Sequence, residues 1–163
     1  MKKLAILGST GSIGTQALCV AENLGLEVTA LTAHKNLKLL EQQVRKFSPA
    51  TVVVTDEETY KEALVKLSDN PVKLLFGMDS VCEIASDSKN DVVLNSLVGM
   101  RGLKPTMCAI EAGVDVALAN KETLVTGVGV ERAVGGMIFI FDTFSILFSD
   151  KFHCIFTFRI CAH

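Results

Sequence analysis

The sequence predicts a doubly wound α/β fold on a mostly parallel sheet, and three observations point there. Short β-branched or aliphatic runs alternate with longer segments of helical period along most of the chain; most of the runs are apolar throughout; and helix starts and stops fall between them. A strand that is apolar on every residue is buried on both faces, which is the condition of a parallel sheet covered by helices on each side.

The elements follow in order. Lys3–Leu7 reads as a first strand ending at Gly8, and Ser12–Asn23 as a helix that stops near Gly25. Glu27–Thr32 is a second strand; Leu37–Phe47 is a helix with Leu37, Leu40 and Val44 spaced along one face and Asn36 as its N-cap. Thr51–Val54 is a strand, and Glu57–Leu67 a helix capped by Asp56. Lys73–Phe76 and Val92–Leu94 are strands flanking a short helix over Ser80–Ala85. Pro105–Ala112 is a helix with proline in its first turn and Gly113 at its end. Asp115–Leu118 and Ile138–Phe141 complete the strands.

Composition bounds the function. The chain has 163 residues, 49% hydrophobic and 21% charged, which excludes a disordered or fibrous protein and favours one main domain. Sixteen basic against 18 acidic residues leave a net charge of -2, so no nucleic-acid partner is expected. Cys19, Cys82, Cys108, Cys154 and Cys161 are odd in number and lack any C-x-x-C pair, arguing against a disulfide framework or a zinc site and for a reducing, cytoplasmic location. The apolar run Leu4–Leu7 ends at Gly8, too short for a signal peptide. Most of the nine phenylalanines lie between Phe139 and Phe158. Only Asp142 is charged between Ala133 and Ser149, but the acid and the charges that follow make a buried strand the better reading than a membrane span. No membrane partner is expected.

The first strand runs directly into Gly8-Ser9-Thr10-Gly11-Ser12-Ile13-Gly14 and then a helix, a G-x-x-G-x-x-G turn in the setting of a dinucleotide site. Gly8 permits a tight turn, Gly11 lets backbone approach a pyrophosphate, and Gly14 lets helix and strand pack closely. The amides of Gly11, Ser12 and Ile13 are expected to face negative charge at the helix N-terminus. An NAD site needs an acid at the end of the second strand; here the residues are Ala33, His34, Lys35 and Asn36, so a cation stands ready for a 2′-phosphate and NADPH is preferred. After the sixth strand, Asn120, Lys121 and Glu122 fall on the same carboxyl edge of the sheet. Lys121 could bind a substrate oxyanion or phosphate, with Asn120 and Glu122 on the cofactor ribose or orienting Lys121, or the three could be a capped helix start. Leu97–Thr106 is a glycine-hinged loop that would line the nicotinamide; whether Met100 and Arg101 line it or face solvent stays open.

Taken together, Leu7–Gly14, Ala33-His34-Lys35-Asn36, Phe47-Ser48-Pro49, Val98-Gly99 with Gly102–Thr106, and Ala119–Val125 resemble the N-terminal part of the 1-deoxy-D-xylulose 5-phosphate reductoisomerase family. The resemblance implies a Rossmann-like NADPH-binding domain over residues 1–126. It implies conversion of a phosphosugar, 1-deoxy-D-xylulose 5-phosphate, to 2-C-methyl-D-erythritol 4-phosphate in non-mevalonate isoprenoid biosynthesis. Thr10, Gly11, Ser12 and Ile13 go to the cofactor pyrophosphate region, Ala33, His34, Lys35 and Asn36 to the adenosine 2′-phosphate side, Asn120 and Glu122 to NADPH, and Lys121 to substrate. A divalent metal, Mg2+ or Mn2+, and a homodimer are family properties.

The family's metal ligands come from an Asp-Ser-Glu-His-Ser segment; here the corresponding stretch is Asp142-Thr143-Phe144-Ser145-Ile146, leaving Asp142 as the one carboxylate. Residues 127–163 are therefore expected to be a divergent tail of an incomplete form, able to bind NADPH without turnover. A non-catalytic NADPH-binding module is the alternative reading. Another NADP-dependent dehydrogenase would share the glycine loop but gives no reason for Asn120-Lys121-Glu122 beside Ala33-His34-Lys35-Asn36.

Overall fold

The computed structural model describes residues 1–119 and the strand 138–140. Strands β1 (Lys3–Leu7), β2 (Glu27–Ala33), β3 (Thr51–Val54), β4 (Lys73–Phe76), β5 (Val92–Asn95), β6 (Asp115–Leu118) and β7 (Ile138–Ile140) form one sheet in the order β4-β3-β2-β1-β5-β6-β7. Every pairing is parallel. The helices are α1 (Ser12–Leu24), α2 (Leu37–Phe47), α3 (Glu57–Lys66), α4 (Gly77–Ala85) and α5 (Leu103–Glu111), the last preceded by a 3-10 turn over Gly99–Gly102.

Alternation along the strands divides the core into two layers. Ile6, Val52 and Val54 face Leu18 and Ala21 of α1, Leu37, Leu40 and Val44 of α2, and Ala63 of α3. Ala5, Leu7, Val53 and Val116 face Val81 and Ile84 of α4 and Ala109 and Ile110 of α5. Because Ile6, Val52, Val53 and Val93 are wholly buried, each contributes roughly 1.5–3 kcal/mol of hydrophobic free energy. The central strands are thus covered on both faces, as the sequence implies.

The topology positions the site. Connections from β1 move outward through β2 and β3 to β4, and the chain then crosses back to place β5 on the other side of β1. The strand order reverses between β1 and β5, and in open α/β sheets ligands bind beyond the carboxyl ends of the strands at such a reversal.

Several boundaries differ from the periodicity. Helix α5 starts at Leu103, so Pro105 lies inside the first turn, where a missing N–H leaves no bond unmade. Helix α4 follows β4 without a linker and begins at Gly77, before Ser80. Strand β2 runs on to Ala33 because that residue pairs with Val54. Strand β4 is an edge, not a doubly buried strand: Lys73 and Phe76 are exposed, and Phe76 rests its ring on Tyr60 at 5.2 Å. The partner of β1 shifts from Val28 to Ala30, leaving Thr29 as a bulge whose hydroxyl lies 2.6 Å from Asn90 Oδ1. Among the described residues no helix is long and apolar enough to cross a membrane. The expected seventh strand is present as Ile138–Ile140; the remainder of the phenylalanine-rich tail lies outside the described residues.

Candidate cofactor site

The glycine loop sits at the reversal point. Gly8 has φ of +85°, a left-handed conformation that strains any other residue, and a Cβ there would lie 3.0 Å from Ser96 Oγ. Gly14 is required for a different reason: its Cβ would stand 2.3 Å from Gly8 O and 2.6 Å from Ser9 Cα, so α1 could not reach this close to the end of β1 with a side chain between them. At Gly11, by contrast, a Cβ would meet only Gly8 O within 4 Å, at an ordinary 3.4 Å. The fold itself makes no steric demand for glycine at position 11.

One expectation about the amides is corrected. The N–H of Gly11 does not face outward; it donates to Gly8 O at 3.1 Å and closes the turn. Gly11 is the N-cap of α1 and its carbonyl accepts from Thr15, while no side chain caps the helix. The N–H groups of Ser12, Ile13 and Gly14 therefore have no acceptor among the described residues, and they carry the positive end of the α1 dipole.

The loop is tied to β2 and α2 by contacts the glycine pattern does not show. Gly8 N–H donates to Thr32 Oγ1 at 2.8 Å, and Ser9 N–H to Thr32 O at 2.9 Å. Ser9 is completely buried; its hydroxyl donates to Gln43 Oε1 at 2.7 Å, and Gln43 Nε2 donates back to Ser9 O at 2.8 Å. On the other side, Ser96 Oγ donates to Leu7 O at 2.7 Å.

At the end of β2, Ala33 is buried and His34, Lys35 and Asn36 are exposed. His34 Nδ1 and Thr55 Oγ1 lie 3.1 Å apart, and Asn36 caps α2 by accepting from Leu39 N–H at 3.2 Å. Lys35 is 71% exposed, and its Nζ lies 3.7 Å from Asp56 Oδ1. The cation thus does not stand alone at this edge, because a carboxylate reaches it from the end of β3. Asp56 is mainly occupied with capping α3: hydrogen bonds from the Thr59 hydroxyl and the Thr59 N–H, helped by the charges of Lys35 and His34, hold its carboxyl below the usual range. An exposed pair at this distance is weak and is readily exchanged for a better anion.

Beyond β5, Asn95 is fully buried and organises the next loop. Its Nδ2 donates to Gly102 O at 2.8 Å and Thr106 Oγ1 at 2.7 Å, and its Oδ1 accepts from Leu97 N–H at 3.1 Å. The expected glycine-hinged loop is the 3-10 turn, from which Val98, Met100 and Arg101 project as exposed side chains. Ala119 N–H donates to Asn95 O at 3.1 Å, so the chain leaves β6 beside this loop. Asn120, Lys121, Glu122 and Asp142 lie outside the described residues. Among the described residues no group of three or more His, Cys, Asp or Glu side chains could hold a metal ion.

Ser9, Thr32, Gln43, Asn95 and Thr106 were not singled out from sequence. A signal existed for Gln43: it follows Leu40 by three positions and precedes Val44, so a polar residue sits on the apolar stripe of α2. Asn95 ends an apolar strand in the same way.

Residues 4–128 match the sequence profile of 1-deoxy-D-xylulose 5-phosphate reductoisomerase, three quarters of the chain. The chain belongs to this family. The reductoisomerase of Bacteroides fragilis strain YCH46 is 55% identical over 126 residues, covering 76% of this chain and 32% of its own length. That of Agathobacter rectalis is 47% identical over 127 residues, covering 77% of this chain and 33% of its own. Among solved structures, a reductoisomerase in complex with magnesium superimposes with a TM-score of 0.82 at 31% identity, over 87% of this chain and 37% of that one. The Zymomonas mobilis reductoisomerase in complex with NADPH gives 0.80 at 33% identity, over 86% and 38%. The chain spans about a third of the length of the relatives it matches.

Proposed function

We propose that residues 1–126 are the NADPH-binding domain of a 1-deoxy-D-xylulose 5-phosphate reductoisomerase, with residues 127–163 a divergent segment. The observation that carries this reading is the row of unpartnered amides at Ser12, Ile13 and Gly14, set behind a turn with Lys35 just past the end of the neighbouring strand. A helix N-terminus with open N–H groups suits a pyrophosphate. Gly11 supports it further, since a residue with no steric reason in the fold to be glycine is explained by close approach of a ligand. NADPH, when bound, supplies the hydride that reduces the aldehyde of the rearranged phosphosugar.

The chain's own residues divide the work. Thr10, Ser12 and Ile13 hold the pyrophosphate, while Ala33, His34, Lys35 and Asn36 border the adenosine 2′-phosphate. Lys35 would leave Asp56 for that phosphate, a full charge with oxygens free to accept hydrogen bonds. Asn120 and Glu122 are assigned to NADPH, Lys121 to the substrate's anionic end, and Asp142 to the divalent metal. The described residues offer the metal no ligand set. The homodimer and the cytoplasmic location belong to the same reading.

Calorimetric titration of the chain with NADPH and NADH tests it. NADPH is expected to bind more tightly, and Lys35→Ala to narrow the gap by roughly three- to tenfold, the range for one exposed charge-assisted contact. Equal affinity for the two cofactors, or a preference for NADH, would overturn the assignment.

A further inference from the structure

We propose that Gln43 is a positioning residue for the cofactor: it aims the phosphate-facing amides of the glycine loop without touching the ligand itself. This rests on the NADPH reading of the site. Both polar atoms of the Gln43 amide are spent on one residue, Ser9, as acceptor from its hydroxyl at 2.7 Å and donor to its carbonyl at 2.8 Å. Ser9 is a central residue of the Gly8–Gly11 turn, and its N–H is held by Thr32 O. Every polar group of Ser9 is therefore fixed from β2 and α2.

The consequence follows from peptide planarity. The carbonyl of Ser9 and the N–H of Thr10 belong to one trans peptide unit and point in opposite directions. Drawing the Ser9 carbonyl toward Gln43 turns the Thr10 N–H away from α2, and that N–H has no acceptor among the described residues. Without the glutamine the peptide plane is free to rotate, and the amide that should meet a phosphate loses its direction.

Burial makes the choice of glutamine informative. Gln43 is 5% exposed, between Leu40 and Val44 on the stripe that packs against the sheet, where leucine or methionine would fill the space without desolvating an amide. The same helix begins at Leu37, two residues after Lys35, so the tether of the pyrophosphate loop lies on the element that directly follows the cation of the 2′-phosphate side.

The test compares NADPH affinity by calorimetry and melting temperature by circular dichroism, on the 163-residue chain. Gln43→Met keeps the volume and is expected to raise the Kd about tenfold, the scale of losing hydrogen bonds that orient a buried carbonyl. Asn90→Ala is the control for mere stability. Asn90 is a similarly buried amide, donating to Ile84 O at 2.9 Å and facing Thr29, but at the amino end of β5; it should lower the melting temperature and leave the Kd unchanged. Gln43→Glu adds a signature that a structural role would not produce. Only the neutral carboxyl can donate to Ser9 O, and burial favours that form, so the affinity of this variant relative to wild type should be highest at acid pH and fall about tenfold by pH 8. Ser9→Ala, expected to weaken binding about threefold, serves should Gln43→Met fail to fold. A wild type that binds NADPH beside a folded Gln43→Met that binds within twofold of it refutes the tether alone. A wild type that binds neither cofactor refutes the functional reading and the tether with it.

Discussion

Replacing Gly14 with alanine places a methyl group 2.3 Å from Gly8 O, 2.6 Å from Ser9 Cα and 2.8 Å from Ser9 C. Carbon and oxygen need about 3.3 Å, so the shortfall is about 1 Å, and all three opposing atoms are backbone. No rotamer change can relieve it; α1 must withdraw or the loop must unfold. Overpacking of a rigid site typically costs 1–3 kcal/mol, and a backbone-to-backbone clash belongs at the top of that range, about 3 kcal/mol. For a chain of this size that lowers the melting temperature by roughly 6–12 °C. The same retreat moves the amides of Ser12 and Ile13 relative to the turn, so NADPH affinity should fall at least tenfold even well below the melting temperature. Gly11→Ala is the companion, because its methyl meets only Gly8 O at 3.4 Å. That variant should melt within a few degrees of wild type and still lose affinity, since the methyl occupies the ligand's side of the turn. Thermal denaturation followed by circular dichroism and calorimetric NADPH titration separate the two effects. A Gly14→Ala chain with unchanged melting and unchanged binding would refute the packing argument, and a Gly11→Ala chain that binds normally would refute the ligand argument.

Two further outcomes follow from charge and burial. The Asp56 carboxyl is held below its usual range mainly by the Thr59 hydroxyl and N–H, so the stability it contributes is full above the unfolded-state carboxylate pKa and is lost as pH falls through the lowered folded value. The melting advantage of wild type over Asp56→Asn, which caps but does not ionise, should therefore be constant at pH 5–7 and shrink below about pH 4; a constant difference down to pH 2 would be contrary. Burial, aided by the neighbouring Cys108 thiol, pushes the Cys82 thiol up to about 11, so its thiolate at pH 8 is on the order of one part in a thousand, whereas Cys19 is exposed. Iodoacetamide with peptide mapping should modify Cys19 long before Cys82, and comparable rates in the folded chain would contradict that burial.

Much of this site was legible because local rules coincide with the fold. Asn36 and Asp56 were readable as caps, and each accepts the backbone N–H that a cap should. Gly14 was readable as a packing glycine, and its clash distances give the reason. The amide of Gly11 was misread because a glycine pattern marks where a turn occurs, not which of its N–H groups closes it. Asp56 beside Lys35 was missed because the two are distant in sequence and meet only where β2 and β3 end side by side. The element order, the buried strands and the family all follow from sequence alone, since periodicity and motif spacing are written along the chain. Which N–H of the turn is spent on closing it, and the reciprocal clasp of Ser9 by Gln43, were decided only by tertiary structure, because a hydrogen bond between residues on different elements depends on the distance and orientation that sheet order and helix packing impose.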